Sequence, residues 1–104
     1  MKLLPLATVV ALALAAGAAT AATPEEAMTK AGCMACHSKD KKIVGPAFKD
    51  IAAKYKGQDA TAKLIEKVRK GGAGSFGPIP MSPNPVDKIG DGDLKEAIEA
   101  ILKT

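Results

Sequence analysis

The sequence predicts an all-α domain of four to five short helices. Apolar residues recur at helical spacing, as in Phe48, Ile51, Ala52 and Tyr55. No pair of segments alternates apolar and polar residues as facing strands would. Glycines and prolines cluster between the periodic stretches and punctuate them. At 104 residues, the chain has room for one such domain behind a leader.

The leader is residues 1–22. Lys2 supplies a charged start, Leu3 to Ala16 are almost wholly apolar, and small residues follow. This order belongs to a secretory signal peptide. Ala19-Thr20-Ala21 is an A-x-A cleavage site, which starts the mature chain at Ala22, or at Thr23 if the cut falls one residue later. An uncleaved membrane anchor is the competing reading, since the apolar span approaches the length that crosses a bilayer. The alanine content and the cleavage site favour removal, with no stable membrane insertion afterwards. The domain is then residues 23–104.

Thr23-Pro24-Glu25-Glu26 opens the first helix: a capping threonine, proline at the first position and a glutamate that completes a capping box. Gly32 stops it. Cys33-Met34-Ala35-Cys36-His37 and a polar loop follow, then the apolar turn Ile43-Val44-Gly45-Pro46. The second helix carries Phe48 to Tyr55 and ends at Gly57. Asp59 is expected to cap a third, which buries Leu64, Ile65 and Val68 and stops at Gly71-Gly72. Residues 71–86 hold four of the seven prolines and read as one long loop. Loops of that length in a small domain tend to be functional or disordered. Phe76, Ile79 and Met81 favour an ordered, functional one. Asp93, with Glu96 three residues on, is expected to open the last helix, whose inward face carries Leu94, Ala97, Ile98, Ile101 and Leu102.

Without the leader, 14 basic and 11 acidic residues remain, a net of +3. There is no basic stripe interleaved with aromatics, so nucleic acid is not an expected partner. Three aromatics, Phe48, Tyr55 and Phe76, make a thin core that a large apolar ligand could fill.

The chemistry lies in one pentapeptide. Both cysteines and the single histidine form Cys33-x-x-Cys36-His37. Two thiols at this spacing can add to the vinyl groups of a haem, and the adjacent histidine can coordinate its iron. A thioredoxin-like pair would need a βαβ context, which is missing. Zinc normally needs four ligands, and three adjacent ones cannot close a tetrahedron. For the sixth iron ligand no second histidine exists. Met34 lies within the attachment motif and Met28 on a helix face, which leaves Met81, between restraining prolines, as the candidate.

These residues resemble a family. Gly32-Cys33-Met34-Ala35-Cys36-His37, Val44-Gly45-Pro46-Ala47-Phe48 and Gly77-Pro78-Ile79-Pro80-Met81 with Asn84 are similar to the short bacterial class I monohaem cytochromes c. That resemblance covers residues 24–104. It implies the cytochrome c fold, with helices wrapped around one covalent haem c and a Pro-rich loop carrying the distal methionine. It implies His37 and Met81 as iron ligands, the Pro46 carbonyl as acceptor of the other His37 N–H, and Asn84 as polar neighbour of the methionine sulfur. It implies an electron carrier of the respiratory chain serving partners such as a nitrite reductase, a terminal oxidase or a bc1-type complex; the leader points to the periplasm, the small size to a monomer, and a fully ligated iron to a protein that is not an enzyme.

The sequence departs from the family at Phe76, where a tryptophan often reaches a haem propionate. That propionate is then more exposed, or held by Lys67 or Arg69. The last helix lacks the family's aromatic, so Ile98 or Ile101 must fill its place. Lys30, Lys39, Lys41 and Lys42 lie near the haem edge in sequence and could steer an acidic partner. A gas-binding or enzymatic haem protein would need a displaceable Met81 and distal acid–base groups, and the loop offers no obvious carboxylate. A haem-free thiol carrier would be colourless.

Overall fold

The computed structural model describes residues 2, 3 and 22–104. The expected leader therefore falls, except for residues 2, 3 and 22, outside the described residues. Four α-helices follow in order: α1 (Pro24–Ala31), α2 (Phe48–Lys54), α3 (Thr61–Lys70) and α4 (Asp91–Leu102). A short 3-10 turn, Cys33–Ala35, follows α1. The described residues contain no strand, only two isolated bridges, His37 with Lys42 and Gly72 with Met81.

α1 starts as its sequence dictates. The Glu26 N–H donates to Thr23 Oγ1 at 3.2 Å, with Pro24 in the first turn. That satisfies one of the orphan donors of a helix start. Gly32, at φ 87°, closes the helix, and its N–H reaches back to the carbonyls of Met28 and Thr29. This left-handed turn drops the chain directly into the Cys33–Ala35 turn.

Two starts differ from expectation. α3 begins at Thr61 with Ala60 as its cap residue, and Asp59 makes no capping bond. Ala60 is 3% exposed and belongs to the core, so burial rather than a side-chain cap sets this start. α4 begins at Asp91 after Gly90, two residues before Asp93. Asp91 and Asp93 both lie in its first turn, where negative charge suits the helix dipole.

α4 holds the fold together by touching each of the other three helices. Its Leu94, Ala97, Ile98 and Ile101 are all buried, at i, i+3, i+4 and i+7. They pack with Ala27 and Met28 of α1, Phe48 of α2, and Tyr55, Leu64 and Ile89. Ile98 and Ile101, the residues expected to stand in for an aromatic, are both buried in this cluster. Ile65 and Val68 of α3 are only partly buried. No helix among the described residues is long and apolar enough to cross a membrane.

The segment 71–90 carries no helix. Arg69 anchors its far end: Nη1 donates to the carbonyls of Ile89 (2.7 Å) and Asn84 (3.2 Å), and Nη2 pairs with Asp91 at 2.6 Å.

Candidate functional site

The helices and the 71–90 segment line an open cavity of about 870 Å³. Cys33, Cys36 and His37 line it, as do Met81 and Asn84. Leu64, Leu94, Ala97 and Ile98 contribute apolar wall. The volume suits a large ligand, within the roughly 300–1,000 Å³ usual for such sites.

His37 is held in one orientation. Its Nδ1 lies 2.8 Å from the Pro46 carbonyl oxygen. A carbonyl can only accept, so the ring proton sits on Nδ1 and Nε2 keeps its lone pair. The ring stacks on Phe48, with centroids 5.5 Å apart and planes 22° from parallel. The backbone beside it is equally close. A Cβ at Gly45 would lie 2.5 Å from His37 Cε1 and 2.9 Å from Nδ1. Position 45 is therefore glycine for contact, a role the sequence alone did not reveal. The Gly45 N–H donates to the Cys36 carbonyl at 2.8 Å, tying this wall to the cysteine pair.

The cysteines are placed by the turn after α1. The N–H groups of Cys36 and His37 both donate to the Cys33 carbonyl, at 3.2 and 3.0 Å. Cys33 is half-buried and Cys36 exposed, and no disulfide joins them. Burial, then the nearby Cys36, pushes the Cys33 thiol above its ordinary pKa, against its own backbone hydrogen bond and the charge of Lys88. A thiol made less acidic is the reverse of an activated exchange cysteine. Among the described residues, no group of three or more His, Cys, Asp or Glu is placed to hold a metal ion by itself.

Met81 is fixed through its backbone. It exchanges two hydrogen bonds with Gly72, N–H to carbonyl in each direction, both 2.9 Å. Residues 72–81 thus form a strap along the cavity, closed at its base by that pair. Gly71 permits it. At φ 68° an L side chain is strained, and a Cβ there would run into the Met81 carbonyl. Asn84, 9% exposed, steadies the next turn. Its N–H donates to the Val68 carbonyl at 3.0 Å, and its Nδ2 to the carbonyls of Ser82 (3.0 Å) and Val68 (3.4 Å).

The donor set fits a haem: two thiols and a lone-pair imidazole nitrogen from one segment, a thioether from another, and largely apolar walls. Of the four lysines expected near the haem edge only Lys42 lines the cavity, together with Lys67, expected at a propionate, and Lys88, which sequence reasoning missed. Arg69, the other residue expected near a propionate, does not line the cavity. Its guanidinium bonds Asn84, Ile89 and Asp91, while Lys67 lies at the wall.

The cytochrome c family model matches residues 21–103. The chain belongs to the cytochrome c family. It is 54% identical over 84 residues to a cytochrome c2 of Rubrivivax gelatinosus, covering 80% of this chain and 99% of that protein. It is 50% identical over 74 residues to a cytochrome c-551 of Pseudomonas aeruginosa, covering 70% and 71%. The crystal structure of wild-type Nitrosomonas europaea cytochrome c552 superposes with a TM-score of 0.68 at 42% identity, covering 75% of this chain and 95% of that one. These relatives make this cytochrome a bacterial class I monohaem member with the all-α fold of its family. It carries one covalent haem c and its iron with the His/Met ligation of its class, moves single electrons between redox proteins, and is not an enzyme.

Proposed function

We propose that Cys33 and Cys36 form the two thioether links, and that His37 and Met81 are the axial ligands. One observation carries this: His37, with Nδ1 already bonded to the Pro46 carbonyl, lines the same cavity as both cysteines and Met81. When bound, the haem would supply an iron that takes up and gives back one electron. The chain supplies the rest. The Pro46 carbonyl keeps the imidazole proton on Nδ1 and raises the basicity of Nε2. Phe48 and Gly45 hold the ring plane. Asn84 fixes the turn beside Met81 through its bonds to the Ser82 and Val68 carbonyls. The apolar walls keep water from the site, and Lys67 takes a propionate.

Residues 1–22 are the secretory signal peptide, and the carrier works in the periplasm as a monomer. Its partners are larger respiratory proteins, a nitrite reductase, a terminal oxidase or a bc1-type complex among them. Lys42 and Lys88 at the cavity rim, with Lys39 and Lys41 nearby, give acidic partners a surface to approach. The test is an optical spectrum of the periplasmic protein. Sharp reduced bands, with the weak methionine-to-iron band at the red end of the oxidised spectrum, support the His37–Met81 assignment. Covalent haem without that band reopens the sixth ligand, and a colourless protein sinks the reading.

A further inference from the structure

The strap that carries Met81 is paired at its base, but its tip is held from outside. The Gly74 N–H donates to the Gly77 carbonyl at 2.9 Å, which turns the chain and puts Ser75 and Phe76 at the tip. Lys54, the last residue of α2, meets both. Its Nζ donates to the Ser75 carbonyl and lies 4.4 Å from the centre of the Phe76 ring. The same ammonium is 5.7 Å from the ring of buried Tyr55. Among the described residues this is the one side-chain hydrogen bond that reaches residues 73–80.

We propose that Lys54 latches the strap to α2 and is thereby a positioning residue for Met81. The reading rests on Met81 as the iron ligand. A ten-residue loop held only at its base can hinge there, while a contact at the tip removes that freedom. Pro78 and Pro80 stiffen the arm between tip and ligand, so motion at the tip is passed along rather than absorbed. An ammonium between two ring faces that also donates to a carbonyl is a directional contact, unlike an isolated surface charge. Phe76 suits this latch: it offers a ring face to the cation and has no donor of its own to spend elsewhere.

The test uses the oxidised holoprotein and imidazole, which competes with methionine for iron. Lys54→Met, which keeps length but removes charge and donor, is expected to raise apparent imidazole affinity about fivefold or more, the size that losing such contacts implies. Phe76→Leu should act in the same direction, and the double variant should exceed Lys54→Met little, because the two groups form one contact. Lys63→Gln is the control. It also removes a cation over Tyr55, 5.4 Å from the ring, but does not touch the strap, and its affinity should stay within twofold of the parent. Lys54→Met within twofold of the parent, or Lys63→Gln matching it, overturns the proposal. Amide exchange at Gly72, Gly74 and Met81 gives a second reading that needs no iron ligand. Faster exchange in Lys54→Met supports the latch and unchanged exchange overturns it. A parent without the methionine band, combined with faster strap exchange, would fault the ligand assignment and leave the latch standing.

Discussion

At the scale of single residues, the site is set by contacts that leave no slack. Gly45→Ala would drive a methyl into the His37 ring, so either the ring or the Gly45–Pro46 backbone must move and the bond to the Pro46 carbonyl must lengthen. Overpacking of this kind costs about 1–3 kcal/mol. A lower melting temperature and a reduced yield of holoprotein are expected, and a melting curve equal to the parent's would refute the steric argument. Met81→Ala tests the other face. It should abolish the red-end band and open the iron to imidazole, and a spectrum unchanged by the substitution would mean that another residue is the ligand.

Elements respond more gradually. Arg69 joins the end of α3 to the start of α4 and to the loop between them, with its side chain 18% exposed. Arg69→Met leaves the inward-facing Asn84 and Ile89 carbonyls without that donor, which costs about 1–3 kcal/mol. Thermal melting measures this, and a negligible shift would show that water replaces the guanidinium. The exposed Glu66–Lys70 pair on α3, 2.6 Å apart, gives a signed pH effect. The hydrogen bond to Lys70, and then its charge, hold the Glu66 carboxyl below its ordinary pKa. The stability it adds is therefore present above the unfolded-state pKa and is lost as pH falls through the folded one. Glu66→Gln should melt slightly below the parent at neutral pH, and the two curves should merge in acid; a gap that persists in acid would contradict this.

Much of this scale was legible in the sequence. Thr23 and Gly32 bound α1 as local chemistry requires, and the periodicity of Leu94, Ala97, Ile98 and Ile101 marked the core face of α4. What stayed hidden was long-range. Nothing local to Arg69, Lys88 or Lys54 announces a carbonyl, a cavity rim or a ring that lies 15 or more residues away. The start of α3 was misplaced for the same reason, because burial of Ala60 by tertiary packing outweighed a polar cap at Asp59.

For the whole molecule, the cofactor is part of the core. Apolar side chains surround a cavity of about 870 Å³. Without the cofactor those side chains face solvent, and so small a domain loses much of the apolar burial that offsets its chain entropy. Chain lacking haem, made with Cys33→Ala and Cys36→Ala, should therefore be largely unfolded. A cooperative, native-like thermal transition in that chain would refute this. The Arg69 guanidinium has one more consequence. Because it grips the approach to α4 and the turn after Met81 together, the C-terminal helix cannot peel away while the distal wall stays in place. The two should open as a single exchange unit, with amides at Asn84 and at the start of α4 exchanging at one common rate.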